Sequence, residues 1–306
     1  MKTIAYWNGN IPPVTRLFFS SFLATQKGIL ELYLENCNDL GPAKDYLNSK
    51  RIIIKEVNLN KLCKGTVFER FSPNRSQNFL DGLIIKLYSK YFVVKRNLYE
   101  KFLPNKLPQH RSCLVHPLMG LTPTSKPIVN IPFYGAVRDQ YNLAFWGDIF
   151  RLLMSILEKE DFVYVDLDVC FLKDFTPLFK GEDFVYEWEH QAFANSAVMF
   201  SSRDGILKKR ISEIVEKYDT VTPWFVFSKE EPLLEELRIL SCELFDPLWK
   251  QESPNFDRFF EDNSVMELLD ESYAYHWHNH WRVLPKEGSC YSHLLNKFEA
   301  YLGTLA

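Results

Sequence analysis

Several features that would place this 306-residue chain at once are missing from it. Its six cysteines (Cys37, Cys63, Cys113, Cys170, Cys242 and Cys290) are scattered with no Cys-x-x-Cys pair. That spacing fits unpaired thiols in a reducing compartment better than a disulfide framework. A basic excess is also absent: 36 Lys and Arg face 39 Asp and Glu, for a formal net charge of −3 and a pI near 6.2. A dedicated nucleic-acid binder, whose phosphate contacts need cations, is therefore disfavoured. No apolar run has spanning length, and Met1-Lys2-Thr3 leads straight into a strand-like segment without the n-region and h-region of a signal peptide. The chain is expected to be cytoplasmic. The first turn lacks Gly-x-Gly-x-x-Gly, so a nucleotide would not be held by the close backbone approach of dinucleotide folds. No dense His-x-His-x-Asp-His cluster is present either, which weakens the reading as a metal-dependent hydrolase or phosphodiesterase.

What is present can furnish a sizeable core, at 46% hydrophobic and 15% aromatic residues. Ile4-Ala5-Tyr6-Trp7 reads as a first buried strand, followed by a turn and a helix over residues 14–26. Residues 29–34 and 51–59 read as strands around a short helix at 43–49, giving an alternating β and α opening of Rossmann-like type. Residues 183–188 and 196–201 read as strands, and 204–218, 230–242 and 289–301 as helices. A single domain over residues 1–306 is expected, with a helical and irregular insertion at about 65–140. Within it, 79–103 has a helical pattern rich in cations (Lys86, Lys90, Lys95, Arg96, Lys101), continued by Lys106 and Arg111. Such a face is either solvated surface or one that meets an anionic lipid or phosphate-bearing acceptor.

The stretch Phe162-Val163-Tyr164-Val165-Asp166-Leu167-Asp168-Val169 carries the chemistry. Apolar on both faces of the pleat as far as Val165, it reads as a doubly buried strand. Asp166 and Asp168 arrive at its end, two apart and so on one face, where they could hold one hard divalent cation or a sugar hydroxyl network. The preceding helix, residues 142–158, is apolar almost all round except for Asp148, Arg151 and Ser155 on one stripe. If helix and strand pack antiparallel, Asp148 and Arg151 reach the same mouth. Trp7, at the carboxyl end of the first strand, could stack on a base. Near the carboxyl end, Tyr275-His276-Trp277-His278-Asn279-His280-Trp281 reads as an extended segment with three histidines on one face. Imidazoles at this spacing suit zinc or manganese, one as a ligand more readily than three.

These pieces fall in an order that resembles the retaining glycosyltransferases of the GT-A fold that carry a DXD sugar-binding region, a group including bacterial capsule and lipopolysaccharide transferases, initiating mannosyltransferases and glucosylating toxins. Ala144-Phe145-Trp146-Gly147-Asp148-Ile149-Phe150-Arg151 resembles the family's Asp-x-x-Arg helix, 162–172 its DXD strand, and 275–281 its HHWxxSW-type signature. The resemblance implies an α/β, GT-A (Rossmann-like) fold with a mostly parallel central sheet and helical insertions. It implies a nucleotide-sugar donor, a UDP-sugar first, an oligosaccharide or lipid-linked glycan acceptor, and Mn²⁺ or Mg²⁺. It carries catalytic roles to Asp148, Arg151, Asp166 and Asp168. Donor contacts fall to Tyr6, Trp7, Asp148, Arg151, Asp166, Asn195, His280 and Trp281, and metal ligation to Asp166, Asp168, His276 and His278. An inactive sugar-binding relative is the other alternative.

Overall fold

Strand β4 (Phe162–Val165) sits in the middle of a seven-stranded sheet because each of its faces finds a hydrophobic layer. Phe162 and Tyr164 face one layer and Val163 and Val165 the other, as side chains alternate along a strand. The order is β3-β2-β1-β4-β7-β6-β8, with β1 at Lys2–Asn8, β2 at Ile29–Glu35, β3 at Ile52–Glu56, β6 at Phe184–Glu187, β7 at Ala194–Ser201 and β8 at Arg238–Leu240. Pairings β3-β2, β2-β1, β1-β4 and β6-β8 are parallel, while β7 runs antiparallel to both β4 and β6. The sheet is therefore mixed and mostly parallel, in the α/β class expected from the alternating pattern. The computed structural model describes residues 1–71, 144–189, 191–218, 221, 226–229, 232–250 and 255–305. The basic 79–103 segment, the proline-rich stretch after it, Cys113 and most of the expected 65–140 insertion lie outside the described residues.

Two layers of helix cover the sheet. Arg16–Thr25 and Cys290–Gly303 pack on one side, with Phe18, Phe19, Phe22, Leu294 and Phe298 against the alternate residues of β1, β2 and β4. Ala144–Leu157 and Ile206–Tyr218 pack on the other, where Ile149, Phe150, Leu153, Leu207 and Ile211 meet Ile4, Tyr164 and Met199. Each such side chain contributes about 1.5–3 kcal/mol by leaving water. With Ile4 level with Tyr164, Tyr6 and Trp7 reach the edge at which β4 ends. No described helix is long and apolar enough to cross a membrane. Among the described residues, five cysteines are free thiols, as the spacing suggested.

Two expectations need correction. Residues 230–242 do not form one helix: a helix covers Pro232–Glu236, β8 follows, and Cys242–Leu244 is a 3-10 turn. The helical spacing of Leu233, Leu237 and Leu240 is overridden because Arg238–Leu240 completes a parallel ladder with β6. The histidine segment is also not extended throughout. Strand β9 ends at His276 and pairs antiparallel with β5 (Val169–Phe171), after which His278 and Asn279 adopt left-handed φ of 53° and 62°.

One close approach fixes the start of the 206–218 helix. Asp183 accepts hydrogen bonds from the Ser202 and Leu207 amides at 2.6 and 2.8 Å, and a Cβ at Gly205 would collide with its carboxylate. Gly205→Ala is therefore expected to destabilise the protein by about 1–3 kcal/mol. Urea denaturation should show a lower midpoint at unchanged slope; a midpoint equal to that of the wild type would remove Asp183 from this role.

Candidate functional site

Where β4 ends, its chain turns from ladder to loop and the first carboxylate appears. The Asp166 amide still donates to the Ala197 carbonyl at 2.8 Å, which fixes the backbone under the side chain. Tyr164, two residues earlier and on the same face, donates its hydroxyl to Asp166 Oδ1 at 2.8 Å. The helix Ala144–Leu157 runs back over the sheet and brings Arg151 across. Its Nη2 lies 2.9 and 3.0 Å from the two oxygens of Asp166, its Nη1 donates to Ser196 Oγ at 2.9 Å, and Asp148 Oδ1 is 3.3 Å away. The guanidinium also lies over the Tyr164 ring, 4.8 Å from its centroid. The polar stripe of this helix is thus turned inward: Asp148 and Arg151 are each only 7% exposed.

The second carboxylate is held by the ribbon β5–β9. Val169 is paired with His276, so Asp168 stands opposite the point where strand β9 ends. The Trp277 amide donates to the Asp168 carbonyl at 2.9 Å, and the Asn279 amide donates to its Oδ2 at 2.7 Å. That second bond is the physical reason for the left-handed pair His278 and Asn279, which turns the chain back over the carboxylate. His276 Nε2 stands 3.3 Å from Asp168 Oδ2, and its Nδ1 is 3.0 Å from the Tyr186 hydroxyl. His278 lies against His276, ring centroids 4.0 Å apart, and its Nε2 is 2.6 Å from Asp246 Oδ2. His280 points elsewhere, with Nδ1 2.6 Å from the Trp277 carbonyl and Nε2 3.1 Å from Asp257.

Burial and mutual charge set the protonation of these groups. Burial pushes the Asp166 carboxyl up, Arg151 pulls it back in part, and Asp168 adds to the rise. For Asp168, burial also favours the neutral acid, but His276 and the Asn279 amide outweigh it and hold the carboxyl below its ordinary range. Burial would lower His276, yet Asp168, Asp246 and Asp166 together raise it. For His278, burial wins and the imidazole falls below its usual value despite Asp246.

The ligand atoms of Asp166, Asp168 and His276 lie within 4.8 Å of one another, and so do those of Asp246, His276 and His278. Of the residues singled out from sequence, Asp148, Arg151, Asp166, Asp168, His276 and His278 come together here. Trp7 and Trp281 form a second group, with rings 4.6 Å apart at 61°, tied to Asp168 because Trp281 Nε1 donates to Asn279 Oδ1 at 3.0 Å. Tyr6 and Asn195 are occupied by the scaffold: the Tyr6 hydroxyl donates to Glu35 at 2.7 Å, and Asn195 Oδ1 accepts from the Ala197 amide at 2.8 Å. Sequence reasoning missed Tyr164, Tyr186, Ser196, Asp246 and the Asn279 backbone. Only Tyr164 had a local signal, the two-residue spacing that puts it beside Asp166. Asp246 sits in Leu244-Phe245-Asp246-Pro247, where an Asp before Pro reads as an ordinary turn.

No protein-family model and no curated protein matches the chain. Solved structures with a similar course include mouse xyloside xylosyltransferase 1 (12% identity, 93% of this chain and 100% of that one, TM-score 0.44). They include the galactosyltransferase LgtC in complex with donor and acceptor sugar analogues (11% identity, 99% and 96% coverage, TM-score 0.40). A further one is the glycosyltransferase GlyE of Streptococcus pneumoniae TIGR4 (10% identity, 99% and 63% coverage, TM-score 0.42). Similarity at these TM-scores assigns no role to any side chain of this chain.

Proposed function

We propose that this chain is a metal-dependent retaining glycosyltransferase of the GT-A fold, which moves a hexose or N-acetylhexosamine from a nucleotide sugar, a UDP-sugar first, to a glycan acceptor in capsule or lipopolysaccharide synthesis. The observation that carries this reading is the convergence of Asp166, Asp168 and His276 at the carboxyl edge of the parallel strands, the edge where open α/β sheets take ligands. Two carboxylates and one imidazole suit Mn²⁺ or Mg²⁺ with coordination positions left for phosphate oxygens. The charge balance supports a cation as well, since Asp148 and Asp166 share the guanidinium of Arg151 and the Asp168 carboxylate adds its charge beside Asp166. A divalent ion bound there would neutralise charge that develops on a departing diphosphate.

The protein's own groups then have distinct tasks. Arg151 and Tyr164 fix the Asp166 carboxylate, and the Asn279 amide fixes that of Asp168. Tyr186 holds the other side of the His276 ring and so orients the nitrogen that faces Asp168. Trp7 and Trp281 form an aromatic shelf for a nucleobase at the same edge. Asp148, beside Arg151, is the group assigned to the donor sugar, and front-face displacement through an oxocarbenium-like state is the favoured route. The acceptor, an oligosaccharide or lipid-linked glycan, and peripheral contact with an anionic membrane on the cytoplasmic side rest on the cation-rich 79–111 sequence.

A panel of nucleotide sugars assayed for transfer and hydrolysis with Mn²⁺ tests the reading; water-only chemistry on simple phosphodiesters would favour a hydrolase instead. Asp168→Ala should abolish the Mn²⁺-dependent part of UDP binding in titration calorimetry, and undiminished binding would remove Asp168 from the metal group. Asp148→Asn keeps volume and removes charge, so transfer should fall about 10²–10³-fold while UDP affinity stays nearly intact. Parallel losses in affinity and rate would make Asp148 a structural partner of Arg151.

A further inference from the structure

A second cluster adjoins the first and differs from it in chemistry. Asp246, His276 and His278 offer two imidazole nitrogens and one carboxylate oxygen, a set that suits borderline Zn²⁺ or Co²⁺, whereas Asp166, Asp168 and His276 offer two carboxylates and suit a harder ion. Asp246 is fully buried, its Oδ1 has no hydrogen-bond partner, and its one ion-pair partner among the described residues is His278. A carboxylate in that state is costly unless a cation meets it. Trp188, Trp249 and Phe256 pack around the His278 ring at centroid distances of 5.9, 5.0 and 4.4 Å, an apolar wall of the kind that surrounds bound metals. The His278 side chain is 13% exposed, which gives an ion a way in.

His276 belongs to both clusters. A neutral imidazole has one lone pair, whichever nitrogen carries it, so His276 can ligate in one cluster or the other but not in both at once. We propose that Asp246, His276 and His278 form a second cation site that prefers Zn²⁺ or Co²⁺, and that its occupation withdraws His276 from Asp166 and Asp168 and opposes Mn²⁺ there. The site itself stands on its own geometry; the antagonism rests on the metal-dependent reading given above.

Titration of the full-length chain with Zn²⁺, and with Co²⁺ followed through its visible ligand-field bands, tests the site without nucleotide or turnover. Wild-type protein should bind one ion, Asp246→Asn and His278→Gln should each weaken it by more than the about 10–100-fold expected of an outer-shell partner, and Asp166→Asn should change it little. Absence of Zn²⁺ binding by wild type, or equal loss in Asp166→Asn and Asp246→Asn at unchanged melting temperature, would overturn the site. Free Mn²⁺ monitored by electron paramagnetic resonance in the presence of UDP reads the antagonism: Zn²⁺ should release Mn²⁺ from wild type and not from Asp246→Asn. If wild type binds Zn²⁺ but never Mn²⁺ with UDP, the second site stands and the glycosyltransferase reading fails; if both ions bind together, the antagonism is wrong.

Discussion

The ion pair between the buried Arg151 and the partly buried Asp166 is the contact on which the remaining site geometry depends. Drawing these charges from water is costly, and the contact of Nη2 with both Asp166 oxygens, the Ser196 and Tyr164 hydrogen bonds and the Tyr164 ring under the guanidinium offset it. Removing Arg151 would leave Asp148 and Asp166 without their shared cation, at a cost of about 3–5 kcal/mol. The pair also joins the helix Ala144–Leu157 to the end of β4, across a loop of only a few residues, so the helix cannot slide along the sheet without breaking it. Apolar packing of Phe150 and Leu153 sets the distance between these layers, and the ion pair sets the register.

Asp168 has the opposite environment. Among the described residues a backbone amide and an imidazole reach it, and no guanidinium does. Its main-chain carbonyl and its side chain both bind the segment after β9, so a single residue dictates where that strand ends and how the chain reverses. The reversal needs two consecutive left-handed residues, a conformation that Asn adopts readily and that costs His about 1 kcal/mol or more. That strain persists because β9, Asp246 and the aromatic wall over-determine the position of His278.

Sequence made the sheet legible where burial is complete. Phe162–Val165 is apolar on both faces and reads directly as a strand, and of Ala194–Ser201, buried throughout, the part from 196 to 201 reads as a strand and the first two residues as connection. It failed at Arg238–Leu240, where leucine spacing satisfied a helix and only the neighbouring edge of β6 decides for a strand. In the site, Asp148, Arg151, Asp166 and Asp168 were readable because each is polar in an apolar surrounding, which is costly and hence informative. The histidines were half readable: alternation is a property of extended chain, and the Asp168 hydrogen bond that ends the extension lies 111 residues away in sequence. Asp246 was illegible for the same reason, since its meaning comes from a contact with His278 made 32 residues later.

The aromatic shelf follows from that same reversal. Trp281 is placed by its bond to Asn279 Oδ1, while the amide of Asn279 holds Asp168, so one residue registers the indole against the carboxylate. Trp7 is fixed from the other direction, by β1 and by its Nε1 donating to the Asn10 carbonyl at 2.9 Å. The indoles meet edge to face at 4.6 Å, an arrangement worth about 0.5–1.5 kcal/mol beyond burial, and so lock the carboxyl-terminal segment onto the first strand. On the proposed function, a base resting on Trp7 and a diphosphate near Asp168 would be spaced by this rigid chain of contacts rather than by a glycine-rich loop. That is a physical route by which a sheet without Gly-x-Gly-x-x-Gly can still measure the length of a nucleotide.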